Sequence, residues 1–143
     1  MSIEQPVLFV SIKPRFAEKI LSGEKSVELR RVRPAAAGAG TLVVIYASSP
    51  ACQVVGTGRV KAIEEGSPTA IWQRHQKVLG LPRSEYRAYF AGVTLAVGIV
   101  LEDVRALRAS VPLASLRARL TGFAPPQSFR YLDAETTRTL TFS

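Results

Sequence analysis

The chain is poor in the residues that most often carry chemistry. It holds one cysteine, Cys52, one histidine, His75, and one tryptophan, Trp72, in 143 residues. A lone thiol closes no disulfide within the chain, which excludes a disulfide-stapled scaffold. Cys52 and His75 fall short of a zinc ligand set, so no metal is expected. Acids are sparse too, with no cluster beyond Glu64-Glu65 and Glu102-Asp103, which read as solvated strand ends. His75 lies mid-helix between Arg74 and Gln76 on a face that reads as exposed, which argues against a Ser-His-Asp hydrolase. No phosphate loop is present, and Gly56-Thr57-Gly58 sits inside a β-rich run and opens no helix, so no nucleotide cofactor is expected. Long hydrophobic runs are absent as well. Leu42–Ala47 and Val93–Leu101 fall well short of the ~20 residues that span a bilayer. Met1–Gln5 lacks the basic flank and apolar stretch of a secretory signal. These absences set the expectation of a soluble, cytoplasmic protein that does not engage a membrane.

What is present is an ordinary globular balance with a skewed charge. Hydrophobic residues make up 47% and charged residues 21%, enough apolar surface to exclude a disordered chain. Length and the lack of any linker or repeat point to a single domain over residues 1–143. Nineteen Lys and Arg against eleven Asp and Glu give a net charge of +8. The excess is arginine spread through ordered-looking sequence, densest at Arg30-Arg31-Val32-Arg33. Such a field favours a polyanionic partner through steering and counterion release.

Periodicity gives the elements. Pro6–Ile12 reads as a buried strand, followed by a helix over Pro14–Ser22 that Gly23 stops. From Lys25 to Arg31 the period is two, with Val27 and Leu29 facing inward and Ser26, Glu28 and Arg30 on the other face. Pro34–Gly40 reads as a loop. Thr41–Ala47 and Val54–Ile63 read as an antiparallel strand pair, with Gly56 and Gly58 marking a bulge or a close backbone approach. Ser67 caps a helix carrying Ile71, Trp72 and Val78, and Ser84 caps another carrying Tyr86, Tyr89 and Phe90. Val93–Leu107 is a long β-rich run, Pro112–Leu120 a short helix, and Phe123–Leu132 irregular. Thr136–Phe142 alternates weakly, as an edge strand or a frayed helix. Five or six strands with short helices between them do not make a doubly wound sheet. They fit an α+β, mainly β fold: a small mixed β-barrel with helices at its openings.

One segment stands out. Lys25, Glu28 and Arg30 fall within six residues at the start of a strand, and charges there cost burial unless they pair or meet a ligand. Val10-Ser11-Ile12-Lys13-Pro14 and Gly23-Glu24-Lys25-Ser26-Val27-Glu28-Leu29-Arg30-Arg31 together resemble the signature of the ASCH domain family, a branch of the PUA-like superfamily. Ile45-Tyr46-Ala47-Ser48-Ser49-Pro50 and Pro125-Pro126-Gln127-Ser128-Phe129-Arg130-Tyr131-Leu132 resemble the same family, in the same order.

The resemblance implies a PUA-like barrel beside which a cleft receives RNA or a nucleotide-like ligand. In that setting Lys13, Lys25, Arg30 and Arg31 suit phosphates, and Glu28 suits a base amine or N–H. Ser48 and Ser49 are small donors, and Ser11, Gln127 and Ser128 fall within the resembling segments. Trp72, Tyr89, Phe90, Phe129 and Tyr131 are rings that could stack a base; Trp72 and Phe90 read as core, and Tyr131, beside Gln127, Ser128 and Arg130 in an irregular stretch, is the better candidate. The leading expectation is therefore RNA or nucleotide binding in a basic cleft with a central glutamate. The alternative is a small hydrolase, either a ribonuclease or an acyl-cytidine amidohydrolase. In the amidohydrolase pattern a lysine is followed three positions later by a threonine. Lys25 matches the lysine, but Glu28 stands where the threonine belongs, and a carboxylate does not replace an activated hydroxyl. Lys25 and Glu28 remain candidates for acid–base work on a phosphodiester that uses the RNA's own 2′-hydroxyl. A protein-interaction module is the third class considered.

Overall fold

The first strand decides the layering. In β1 (Val7–Ile12), Leu8, Val10 and Ile12 enter one core while Val7 and Phe9 enter another. A strand apolar on both faces needs cover on both, and the rest of the chain supplies it. The structure is a computed structural model and describes residues 6–141. Five further strands follow: β2 (Val27–Arg30), β3 (Leu42–Ala47), β4 (Gln53–Gly66), β5 (Ala96–Pro112) and β6 (Phe129–Leu132). They form one mixed sheet in the order β2-β5-β4-β3-β1-β6, with β1 and β3 parallel and the other pairs antiparallel.

The sheet curls. β1 and β5 are not neighbours, yet Leu8, Val10 and Ile12 share a core with Val97, Ile99 and Leu101. Register shifts in the β3–β4 and β4–β5 pairs provide the bend, because each bulge adds local twist. Gly56 lies at one of them. A Cβ there would sit 2.6 Å from Leu21 Cδ2 and 2.7 Å from the Arg105 carbonyl oxygen, so only glycine lets the strands approach. Helix α1 (Pro14–Ser22) plugs the concave side with Ala17 and Ile20. Helices α4 (Leu113–Arg119) and α5 (Ala134–Thr141) cover the outer face around Phe9 and Tyr46. Helices α2 (Pro68–His75) and α3 (Arg83–Tyr89) close a third core over Val27 and Leu29. This is the mainly β, barrel-like mixed sheet with short helices that the sequence leads one to expect. No helix among the described residues is long and apolar enough to cross a membrane.

Several local expectations need correction. Pro82, not Ser84, precedes α3 as its N-cap, while Ser67 does cap α2 by accepting from the Ala70 N–H. Phe129–Leu132 is not irregular: it pairs with the open edge of β1, a partner that four residues after two prolines do not announce. Thr136–Thr141 is helical because Asp133 accepts from the Thr136 N–H, and Thr137, Thr139 and Thr141 each donate to the carbonyl four residues back. Phe142 lies outside the described residues. His75 ends α2 half-buried, its Nε2 3.1 Å from Glu64 Oε1. Glu102 and Asp103 lie inside β5 rather than at its end, with Asp103 at a φ of 52°.

Candidate functional site

The strand that carries the charged segment is buried on both sides. Val27 and Leu29 pack beneath α2 and α3, while Glu28 and Arg30 pair opposite Ile99 and Val97 and so share their concave face. Curling brings the far edge of the sheet to meet them. Arg30 Nη2 donates to Glu28 Oε2 at 2.7 Å and to the Ser11 carbonyl of β1 at 3.0 Å. Its Nη1 donates to Ser128 Oγ, just before β6, at 2.9 Å. One arginine thus ties strand β2 to the opposite end of the sheet. Its Nε is buried with no partner among the described residues.

Lys25 enters from the α1–β2 connection and is only 2% exposed. Its stem runs along Gly80, where a Cβ would lie 3.0–3.2 Å from Lys25 carbons and where φ is +75°. The ammonium donates to the Leu79 carbonyl at 2.6 Å and lies 3.8 Å from Glu28 Oε1 and 5.2 Å from the Phe16 ring centre. Burial lowers its pKa from the usual lysine value, the attraction of Glu28 opposes that, and Arg30 and Lys19 add to the lowering.

A cleft of about 660 Å³ opens over this group, within the size range of ligand sites. Ser11, Lys13, Lys25, Glu28, Arg30, Ser48, Gln127 and Ser128 all line it. The structure therefore brings together eight residues that the sequence singles out. Four cations, Lys13, Arg15, Lys25 and Arg30, face two carboxylates, Glu28 and Glu85, in its wall. The side chains of Lys13, Ser48 and Gln127 make no hydrogen bond among the described residues, so their polar groups are free for a guest.

Three predicted residues are elsewhere. Arg31 lies in an adjoining lobe, and Ser49 is exposed beside the cleft rather than in its wall. Tyr131 is turned away: it packs edge-on to Phe129, and its hydroxyl accepts from the Ala36 N–H at 2.8 Å. Phe90 is core as expected, and Trp72 is half-buried against Tyr86.

The site also holds Arg15, Phe16 and Glu85, which the sequence does not single out, and Tyr89, one of the rings weighed for stacking. Arg15 of α1 and Glu85 of α3 pair across the mouth, which holds Glu85 below the usual carboxylate range. Tyr89 and Phe16 supply aromatic wall, and burial raises the Tyr89 pKa. The helical spacing of Tyr86, Tyr89 and Phe90 marks an aromatic face, but only the seating of α3 over β2, with the Tyr89 hydroxyl on the Leu29 carbonyl, shows which ring reaches the cleft. Among the described residues no three His, Cys, Asp or Glu side chains are grouped to hold a metal ion. Chemically, the cleft offers fixed cations for phosphate oxygens, one acceptor-only carboxylate for an amine or N–H, and aromatic surface for a flat ring.

Comparison with known proteins gives a consistent picture. A family model described as a domain of unknown function, DUF365, matches residues 6–118. The ASCH domain-containing ribonuclease of Zymomonas mobilis is 35% identical over 131 residues, which cover 92% of this chain and 87% of that protein. The crystal structure of ASCH from Zymomonas mobilis superimposes with a TM-score of 0.88 at 34% identity, covering 96% of this chain and 94% of that one. The large ribosomal subunit protein uL22 of Ureaplasma parvum is 25% identical over 126 residues, which are 87% of this chain but 39% of that protein.

Proposed function

The chain belongs to the ASCH domain family and to the DUF365 family, and from that premise we propose that it binds RNA in the cleft over Lys25, Glu28 and Arg30. The observation that carries this reading is the buried ionic group itself. Two cations share one carboxylate at the floor of an accessible hollow, and a third, Lys13, stands free at its rim. A phosphate there offsets the crowding of positive charge, and the low dielectric strengthens each contact. Glu28 then faces the base edge of the same nucleotide as an acceptor, and Tyr89 and Phe16 flank the ring. Binding to single strands follows from this geometry, because a duplex hides both base edge and base face.

Anisotropy titration of labelled single-stranded RNA tests the proposal. If the cleft takes two phosphates, log affinity falls against log salt with a slope of about −1.4. Lys13→Ala is exposed and leaves the core intact, so it weakens binding and shallows that slope. Wild-type protein that ignores RNA at low salt, or Lys13→Ala that binds like wild type, would count against the proposal.

That the Zymomonas relative is named a ribonuclease favours a second reading, cleavage of the bound strand. The RNA 2′-oxygen attacks the adjacent phosphorus and the 5′-oxygen leaves, giving a 2′,3′-cyclic phosphate and a free 5′-hydroxyl. Glu28 Oε1 takes the 2′-hydroxyl proton, Lys25 protonates the leaving oxygen, and Arg30 faces the phosphorane. Burial makes the Lys25 ammonium a better acid than a solvated lysine, which suits that role. Gel assays on end-labelled RNA separate the two readings. Cleavage that is abolished in Glu28→Gln while binding persists supports the enzyme, and intact RNA under conditions of saturated binding retires it.

A further inference from the structure

A shallower lobe of about 210 Å³ adjoins the cleft and shares Arg30, Tyr89 and Ser128 with it, and Arg31 and Val32 complete its lining. Arg31 and Val32 line this lobe and not the cleft. Its floor is a pinned arginine. Arg31 Nε donates to the Tyr89 carbonyl at 2.8 Å, and the guanidinium carbon lies 4.6 Å from the centre of the Tyr89 ring. Tyr89 is fixed in turn, its hydroxyl donating to the Leu29 carbonyl at 3.2 Å and its ring packing edge-on to Phe90 at 4.7 Å.

A surface arginine ordinarily keeps its rotamers free in water and loses that freedom on binding. Two contacts have already fixed the plane of Arg31. No carboxylate pairs with it among the described residues, so one face and both terminal nitrogens remain open to the lobe. Beyond it lies Val32, 67% exposed, the more open of the two exposed large apolar side chains among the described residues. A guanidinium plane backed by an aromatic ring and bordered by an apolar side chain is a stacking platform for a flat heteroaromatic ring.

We infer that this lobe is a second base subsite, so that the ligand is a single-stranded oligonucleotide of at least two nucleotides rather than a free mononucleotide. The inference rests on the RNA reading of the cleft. Arg30 and Ser128 form the wall common to both hollows, so the phosphate linking the two nucleotides passes Arg30 while the next base lies on the Arg31 plane. Arg31 acts here through its plane as well as its charge.

Calorimetric titration with oligouridylates of one, two and three nucleotides tests this, using wild-type protein, Arg31→Ala and Arg31→Lys. Stacking of one added base raises wild-type affinity roughly 5- to 150-fold from one nucleotide to two. In Arg31→Ala that step disappears while binding of the mononucleotide is kept. Arg31→Lys retains the charge and still loses most of the step. Equal wild-type affinity for one and two nucleotides overturns the subsite but leaves the cleft reading standing. A full step in Arg31→Lys also overturns it, because charge alone then explains the gain. Absence of binding for every length overturns the cleft reading, and this inference with it.

Discussion

Replacing Glu28 with alanine tests how far the buried ionic group depends on its one carboxylate. Glu28 is 7% exposed, and it is the shared partner of Arg30 at 2.7 Å and Lys25 at 3.8 Å. Removing one member of a buried pair typically costs ~3–5 kcal/mol, because the remaining charge stays buried without compensation. Here both cations keep other acceptors: Arg30 has Ser128 Oγ and the Ser11 carbonyl, and Lys25 has the Leu79 carbonyl. The loss therefore falls at the lower end, about 3 kcal/mol, or roughly 10 °C in melting temperature for a chain of this size. Glu65→Ala is the control. It breaks an exposed pair with Arg33 and costs at most ~1 kcal/mol. The second half of the prediction has the opposite sign. With the carboxylate gone, Lys25 and Arg30 face the cleft uncompensated, so inorganic phosphate raises the melting temperature of Glu28→Ala by more than that of wild type. Scanning calorimetry with and without phosphate reads both. A Glu28→Ala protein that melts within about 2 °C of wild type, or gains nothing extra from phosphate, refutes the reasoning.

Other perturbations probe the same construction. Gly80→Ala places a Cβ against the Lys25 stem at a positive φ, so it costs ~1–2 kcal/mol for the backbone alone and weakens RNA binding as Lys25 moves; unaltered melting and affinity would contradict the packing. Lys25 has a lowered pKa when folded, so above that value the unfolded chain holds a proton that the native one has released, and stability rises with pH up to the unfolded value of 10.5. Urea unfolding of wild type and Lys25→Met should accordingly show wild type gaining on the variant as pH rises towards 10.5, and a constant difference would speak against a lowered Lys25 pKa in the fold. Glu64 is held below its usual range chiefly by Arg74, so what it contributes is complete above pH 4.5 and fades as pH drops through its native value. Glu64→Gln should be less stable than wild type near neutrality and converge with it in acid.

The charged floor of the cleft was legible because period two in a short strand places Glu28 and Arg30 on one face, and helix termination at Gly23 delivers Lys25 beside them. That both faces of β2 are covered was not legible. It depends on the curl, which arises from register shifts along β4 and β5 and not from any residue near Glu28. Tyr131 was misjudged for a similar reason: its neighbours Gln127 and Ser128 do face the cleft, but pairing with β1 turns the following residues into a strand and directs the hydroxyl to Ala36. Arg31 belongs to the adjoining lobe because the ring that fixes it, Tyr89, comes from a helix 58 residues further along the chain. The sequence leaves Thr136–Phe142 between an edge strand and a frayed helix because threonines favour strands by propensity; bonding back to the chain decides for the helix over the described residues.

Backbone amide shifts during titration with a short single-stranded RNA test the central claim most directly. The account predicts that the perturbed amides cluster at Lys13, Lys25, Ser48, Tyr89, Gln127 and Ser128, with the outer face around Tyr46 and Leu140 unmoved. Perturbations centred on that outer face, or spread evenly over the arginines, would contradict it.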